Sequence, residues 1–386
     1  MKVVFVCTGN TFTPTMLYKE NYFIKASLYY GYDTTVYASQ YAYENGKKIL
    51  TTDESTDSLG YKLIRLPYKK HITNTITEKI RDAEQLIPSI ISVSPDFIFI
   101  NCPQVFNVTQ LKNIKSVLPE VKIAMDFSTK YINSATNAVS KYLLHRTIYR
   151  RWLLKAIKYV DCVSYISPET KDFIQREYKI NHPNLTENGL PAEVISPDKY
   201  KEYRKGIREE LGIRDTEILF VHTGKMGKLK RTVELIESFR RNADTRFRLV
   251  IAGSLNDDIE KTVKNLIEHD SRIQFIGFLD GDKLTRLLCA SDMYLQPGTI
   301  SQTSQTAICC GSPIIFMKCP TNEELFCGNG FILTSIDELD KALQSISENP
   351  SQIVEMREKS FLLARAKLDY RKLFSDLLCT SGLVIR

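Results

Sequence analysis

The stretch richest in chemistry is Phe220-Val221-His222-Thr223-Gly224-Lys225-Met226-Gly227-Lys228-Leu229-Lys230-Arg231. Three lysines and an arginine follow an apolar run and stand at the entry to an amphipathic segment, Thr232–Asn242. A helix start gathers unpaired N–H groups and the positive end of the dipole, so cations there suit an anion, a diphosphate above all. A solvated charge cluster is the plainer reading of the same residues. His222 ends the run and is read either as a donor to that anion or as a satisfied structural histidine. A second polar cluster lies in Met293–Met317, where Ser301, Gln302, Thr303 and Ser304 open a helix after Pro297-Gly298 and Gly311-Ser312-Pro313 ends it. Capping explains one such residue; four suit a sugar or phosphate lying against backbone amides.

Other motifs carry less. Asp280-Gly281-Asp282 has the spacing that can hold a divalent ion, but it sits between a strand and a helix, where aspartates serve as turn residue and N-cap, so no metal is expected. No G-x-G-x-x-G occurs, which argues against a dinucleotide cofactor. Val3–Asn10 resembles the opening of low-molecular-weight protein tyrosine phosphatases, in which a cysteine nucleophile sits in a loop closed by an arginine. Thr13 stands where that arginine belongs, so Cys7 reads as a buried strand-end thiol. The loop Thr8–Thr11 still follows the first strand, where such folds bind ligands.

These residues need elements to position them. At 386 residues the chain exceeds one ordinary core, so two domains are expected. The first half alternates strands (Lys2–Cys7, Thr34–Ala38, Asp96–Asn101, Val121–Asp126, Cys162–Ile166) with helices (Met16–Tyr30, Glu78–Val93, Lys141–Tyr159). After Ser196-Pro197-Asp198 a second series runs from the strand Glu217–Thr223 to the strand Pro313–Met317, and Ser351–Leu378 reads as one long helical stretch. This is an α/β chain of two Rossmann-like domains with parallel sheets, divided as residues 1–197, 198–365 and a terminal helix, 366–386, packing back toward the first domain. Ligands sit at the carboxyl ends of such strands, which points to a cleft between the two domains.

Nine scattered cysteines, odd in number and without C-x-x-C pairs, fit a reducing compartment. The apolar run Val3–Cys7 is too short for an export signal or a membrane span, so a cytoplasmic protein is expected. The net charge of +7 is uneven: residues 1–200 hold 25 Lys and Arg against 19 Asp and Glu. Lys141–Lys158 contains six cations and no acid, which suggests an anionic partner.

In order along the chain, Val160–Val163 with Ser167–Lys171, Glu187-Asn188-Gly189-Leu190, Gly224, Lys225 and Lys230 with Leu235–Phe239, Leu249–Gly253, Ile276–Phe278, Ala290-Ser291-Asp292 and Ala307–Pro313 resemble the landmarks of the bacterial retaining nucleotide-sugar glycosyltransferases of GT-B architecture (glycosyl transferases group 1). The resemblance implies sugar transfer from a nucleotide diphosphate sugar to a hydroxyl of a glycan or lipid-linked acceptor, as in bacterial surface polysaccharide synthesis, with no metal and no other cofactor. The family's two glutamates align with Gly298 and Thr306, so both carboxylates are absent, as in a subgroup with Pro-Gly at the first position. Gln302 and Gln305 are candidates to replace them through amide hydrogen bonds.

By this resemblance Lys225 and Lys230 neutralise the diphosphate together with the helix amides at Gln302–Ser304. Gly224, His222, Gly298, Ser301, Thr303 and Thr306 complete the donor site, Phe278 and Leu279 frame the base, and Asp126 with Gly9, Asn10 and Thr11 faces the acceptor. The basic helix Lys141–Lys158 carries Leu143, Leu144, Ile148, Trp152 and Leu153 beside its cations, which suits peripheral contact with an anionic membrane at the inner face of the cell membrane; its apolar face also suits covering the sheet. No nucleic-acid partner is expected. A non-catalytic binding subunit and a GT-B nucleotide-sugar epimerase are the other readings.

Overall fold

The run Lys2–Cys7 is buried from its second residue onward, and it forms an interior strand, β1, of a seven-stranded sheet. The structure is a computed structural model describing residues 1–14, 16–44, 47–51, 60–299 and 301–384. The chain divides into two units, one of residues 1–14, 20–189 and 370 onward, the other of 190–369 with 16–19.

The first unit adds β2 (Asp33–Ser39), β3 (Lys62–Leu66), β4 (Phe97–Asn101), β5 (Lys122–Phe127), β6 (Cys162–Tyr165) and β7 (Leu185–Glu187) in the order β3-β2-β1-β4-β5-β6-β7, all paired in parallel. Strands buried on both faces read as near-continuous apolar runs, which is why most were visible beforehand. β3 and the three-residue β7 are not among the expected strands; in β3 the buried Arg65 gives a polar look, yet its guanidinium donates to Ser39 O at 2.9 Å and Phe12 O at 3.2 Å.

The expected helix Glu78–Val93 is two helices, Asn74–Ile80 and Leu86–Val93. Arg81 and Gln85 between them adopt left-handed backbone, and the turn is fixed by a bridge of Ala83 to Tyr68 and by Asn107 Oδ1 accepting from Ala83 N at 2.8 Å. The basic segment is π-helical over Val139–Tyr149 before it becomes α1 (Arg150–Ala156).

The second unit holds β8 (Ile218–Met226), β9 (Phe247–Leu255), β10 (Ile273–Phe275), β11 (Met293–Gln296), β12 (Ile314–Met317) and β13 (Gly330–Leu333), ordered β10-β9-β8-β11-β12-β13 and likewise parallel. Asp292, buried just before β11, accepts from Arg204, Arg208 and Arg357 and from Leu219 N. It ties α2 (Pro197–Glu210) to the sheet.

The units part earlier than residue 197. Ser196 does cap α2, but 190–196 are already bonded within the second unit, through Ala192 N to Leu368 O (2.9 Å) and Ile195 N to Cys309 O (3.1 Å). The expected single tail helix breaks at the same place: Gln352–Lys367 stays with the second unit, and the final helix, Tyr370–Thr380, belongs to the first, with Phe374 packed among Phe5, Phe23 and Phe97 at ring distances of 5.7–6.4 Å.

Candidate active site

Gly224 and Gly253 face each other near the carboxyl ends of β8 and β9. Both have φ in the left-handed region, +134° and +139°, and a Cβ on Gly253 would collide with the Gly224 carbonyl. The two glycines clear a bare strand end. The Lys230 side chain is laid over it, its Cε 3.8 Å from where a Gly224 Cβ would stand.

Lys230 arrives there by a turn. β8 ends at Met226, Lys228–Lys230 form a single 3-10 turn, and Arg231 adopts φ 54° before α3 (Thr232–Arg241) begins. Lys230 Nζ donates to Thr299 O at 2.6 Å, and no carboxylate pairs with it among the described residues. Burial pushes this ammonium down to about 8. An ammonium has three donors, so two remain for a ligand's oxygens. Lys225, at the exposed end of β8, adds a second cation.

The loop after β11 is fastened to the same turn. Thr299 N donates to Leu229 O at 3.0 Å, and the Thr299 carbonyl accepts from the buried Gln296 amide at 2.7 Å as well as from Lys230. Gly298 lies so close that a Cβ on it would meet Lys230 Cα at 2.6 Å. Position 298, which the resemblance aligns with a glutamate, is thus closed here to any side chain. Thr306, at the other glutamate position, is buried and bonds back to Gln302 O at 3.3 Å.

Three expectations are corrected at this site. The side chains of the polar run before and in α4 (Gln302–Cys309) do not form a row of ligand donors. Ser301 and Thr303 share a hydroxyl chain with Tyr294 and Thr223 (2.6, 2.9 and 3.0 Å), Ser304 is fully buried, and the Gln302 amide nitrogen is taken by Pro191 O at 2.8 Å. Neither Gln302 nor the buried Gln305 therefore replaces a carboxylate. The part of α4 suited to an anion is its backbone at Gln302 and Thr303, whose N–H groups have no intrahelical acceptor, whereas Ser304 N already donates to Ser301 O at 3.0 Å.

His222 is likewise structural. It is fully buried, its Nδ1 lies 2.7 Å from Leu295 O and its Nε2 3.0 Å from Thr232 Oγ1. A carbonyl only accepts, so Nδ1 carries the proton and Nε2 accepts from the threonine. Burial holds the ring neutral, down to about 4.

Asp126, third, does not face solvent. It is fully buried at the end of β5, with Oδ1 accepting from Ser164 Oγ at 2.5 Å, and it braces the strand ends of the first unit. Asp280 caps the helix Gly281–Ala290 through Lys283 N, and Asp282 pairs with Arg286 at 2.8 Å.

On the β9–β10 side, Gly253 N donates to Gly277 O at 2.7 Å, and the loop beyond presents Phe278, 47% exposed, with Leu279 half-buried beside it. An aromatic ring left in solvent beside a bare strand end offers a stacking face. In the first unit, Gly9 is pressed against Asn101 and Cys102, Asn10 Nδ2 lies 2.9 Å from Cys102 Sγ, and Thr11 is half-buried beyond it. Burial pushes the Cys7 thiol well above its usual range, which leaves it inert.

The sequence profile of Glycosyl transferases group 1 matches residues 204–361. No curated protein matches the sequence. Among solved structures, the Anabaena protein HepE in complex with UDP and glucose is similar over all of both chains (TM-score 0.65, 15% identity). WaaG, a glycosyltransferase involved in lipopolysaccharide biosynthesis, is similar over 97% of this chain and 98% of its own (0.65, 16%). Sucrose-phosphate synthase from Thermosynechococcus elongatus is similar over 98% and 97% (0.69, 13%). Identities this low speak for the fold, and the matched profile speaks for the second unit. Residues 204–361 are a Glycosyl transferases group 1 domain, and the chain that carries them is a glycosyltransferase of GT-B fold.

Proposed function

We propose that the protein moves a sugar from a nucleotide diphosphate sugar to a hydroxyl of a glycan or lipid-linked acceptor, in the synthesis of a bacterial surface polysaccharide or glycolipid, with retention at the anomeric carbon and without a metal. The observation that carries this reading is Lys230, drawn over the Gly224–Gly253 strand end and lacking a carboxylate partner among the described residues. A desolvated cation beside bare backbone is an incomplete ion pair, and a diphosphate completes it. HepE has been solved with UDP-glucose, and WaaG acts in lipopolysaccharide biosynthesis.

In this reading Lys230 and Lys225 hold the diphosphate, with the Gln302 and Thr303 amides of α4. These groups stabilise the negative charge that grows on the leaving nucleotide as the glycosidic bond breaks. Phe278 and Leu279 frame the base. Asp280 and Asp282 are already engaged as cap and ion pair, so the lysines act where other enzymes use a divalent ion. Asp126 fixes the strand ends behind Gly9–Thr11 rather than touching the acceptor. Exposed Arg151, Lys155 and Lys158 supply contact with an anionic membrane, since Arg146 is bound to Glu177 at 2.6 Å and Arg150 to Glu177 O at 2.7 Å.

A second reading, a binding subunit that has lost catalysis, is favoured by one observation, the absence of both carboxylates at Gly298 and Thr306. The two separate in one experiment: nucleotide release from a panel of nucleotide diphosphate sugars, with and without an acceptor extract. Acceptor-dependent release supports transfer. Binding without release on any acceptor supports the subunit, and release without acceptor supports an epimerase.

A further inference from the structure

The first unit contains a cavity of about 1100 Å³ whose lining is chemically lopsided. One wall is apolar: Leu144, Ile148 and Trp152 recur every fourth residue along the basic segment, and Ile76 and Ile80 come from the short helix opposite. Apolar surface continues outward to its rim, where Val139 is 70% and Leu143 57% exposed. The floor is neutral and polar, from Gln104, Ser128 and Thr129, with Asn10 also lining it. Gln104 Nε2 donates to Thr129 Oγ1 at 2.8 Å and to Tyr178 OH at 3.3 Å, and Tyr178 OH lies 2.7 Å from His145 Nδ1. The floor is therefore rigid and already hydrogen-bonded.

The charges on the lining are Lys79 and Arg81, and no aspartate or glutamate joins them. Neither cation forms an ion pair among the described residues. Glu177, which meets the basic segment, is turned to Arg146 and Tyr131. Burial holds His145 neutral, down to about 4, with Glu177 pulling against it and Lys79 and Arg81 adding smaller pushes in the same direction as burial.

We propose that this cavity binds an anionic amphiphile, an apolar chain bearing a phosphate head, and that in the transfer reaction this molecule is the acceptor. The apolar wall takes the first part of the chain, since each methylene buried there is removed from water. Lys79 and Arg81 take the phosphate by charge-assisted hydrogen bonds. A neutral glycan would leave two cations unpaired and the apolar wall facing hydroxyls. The assignment as acceptor rests on the proposed transferase function; the binding site itself does not.

Trp152 is the only tryptophan in the sequence and forms part of the apolar wall, so its fluorescence reports on occupancy without any assay of turnover. The experiment titrates the full-length protein with monomeric dodecyl phosphate, dodecyl maltoside, inorganic phosphate, and phosphatidylglycerol vesicles, while UDP-glucose binding is followed separately. The expected result is a saturable change with dodecyl phosphate at least tenfold tighter than with the maltoside, none with phosphate, and with vesicles only a change that high salt removes while the dodecyl phosphate response persists. The Lys79→Ala/Arg81→Ala double variant removes the preference while leaving UDP-glucose affinity and melting temperature near wild type. No saturable change, equal affinity for the neutral amphiphile, or a response to vesicles alone overturns the proposal. Loss of UDP-glucose binding with retained amphiphile binding contradicts the transferase reading instead.

Discussion

Gly298 and Lys230 touch through their backbones: a Cβ on Gly298 would stand 2.6 Å from the Lys230 Cα. The contact locks the loop after β11 to the turn that delivers the lysine, and Thr299 closes it from both sides, its N–H to Leu229 O and its carbonyl to Lys230 Nζ. The absence of room for a side chain at 298 and the position of the lysine are one structural fact. Restoring the carboxylate by Gly298→Glu is therefore expected to harm the protein. The loop must open by more than an ångström, costing about 1–3 kcal/mol as overpacking does, with donor affinity falling because Lys230 moves. Chemical denaturation and donor titration of Gly298→Ala and Gly298→Glu check this, and higher turnover in the glutamate variant would contradict it.

Lys230 makes donor binding pH-dependent. With the ammonium near 8 in the free protein, affinity for a diphosphate is full below pH 8 and falls by up to tenfold per unit above it, because the neutral amine offers no charge. Binding an anion raises the pKa, so complex formation at pH 9 takes up a proton. Calorimetry in buffers of different ionisation heat measures that uptake, and Lys230→Ala abolishes it. An unfolded lysine titrates near ~10.4, so between pH 8 and 10 the unfolded chain holds more protons and this site makes stability rise with pH.

His222 acts in the opposite pH range. Its folded value is depressed to about 4, so the unfolded chain binds the extra proton between about pH 6.5 and 4. Stability is complete above pH 6.5 and is lost as the pH falls toward 4, by on the order of 3 kcal/mol from this residue. His222→Gln is expected to melt lower than wild type at pH 7.5 while narrowing the difference at pH 5, with the KM for the donor unchanged in the folded fraction. A large rise in KM with an unchanged melting temperature would return His222 to the ligand.

The residues where sequence reasoning succeeded and failed differ in how local their determinants are. β1, β8 and β11 are apolar runs whose burial needs only their own side chains, and Asp280 as a cap needs only Lys283. His222, in contrast, is decided by Leu295, 73 positions away. The hydroxyls of Ser301 and Thr303 look ligand-facing until Tyr294 and Thr223 are placed beside them. A run of small polar residues has the composition of a binding surface, and its hydroxyls are instead bonded to one another and to the strands behind them. The break at Arg81–Gln85 was also hidden, since left-handed backbone at arginine and glutamine has no compositional mark.

The basic segment is not uniformly available for a membrane. Arg146→Ala leaves the buried Glu177 short of its partner and is expected to destabilise the first unit with little change in vesicle association. Replacing Arg151, Lys155 and Lys158 together by glutamate leaves the fold intact and lowers cosedimentation with phosphatidylglycerol vesicles at low salt. The difference vanishes at high salt as screening shortens the interaction range.

In the proposed function the strand end at Gly224 and Gly253, with Lys230 over it, holds the donor diphosphate. Calorimetric titration of wild type and Lys230→Ala with UDP and UDP-glucose tests it directly, once equal melting temperatures show both proteins folded. Wild type is expected to bind both ligands saturably and the variant at least thirtyfold more weakly; equal affinities in the two proteins would rule out donor binding at this strand end.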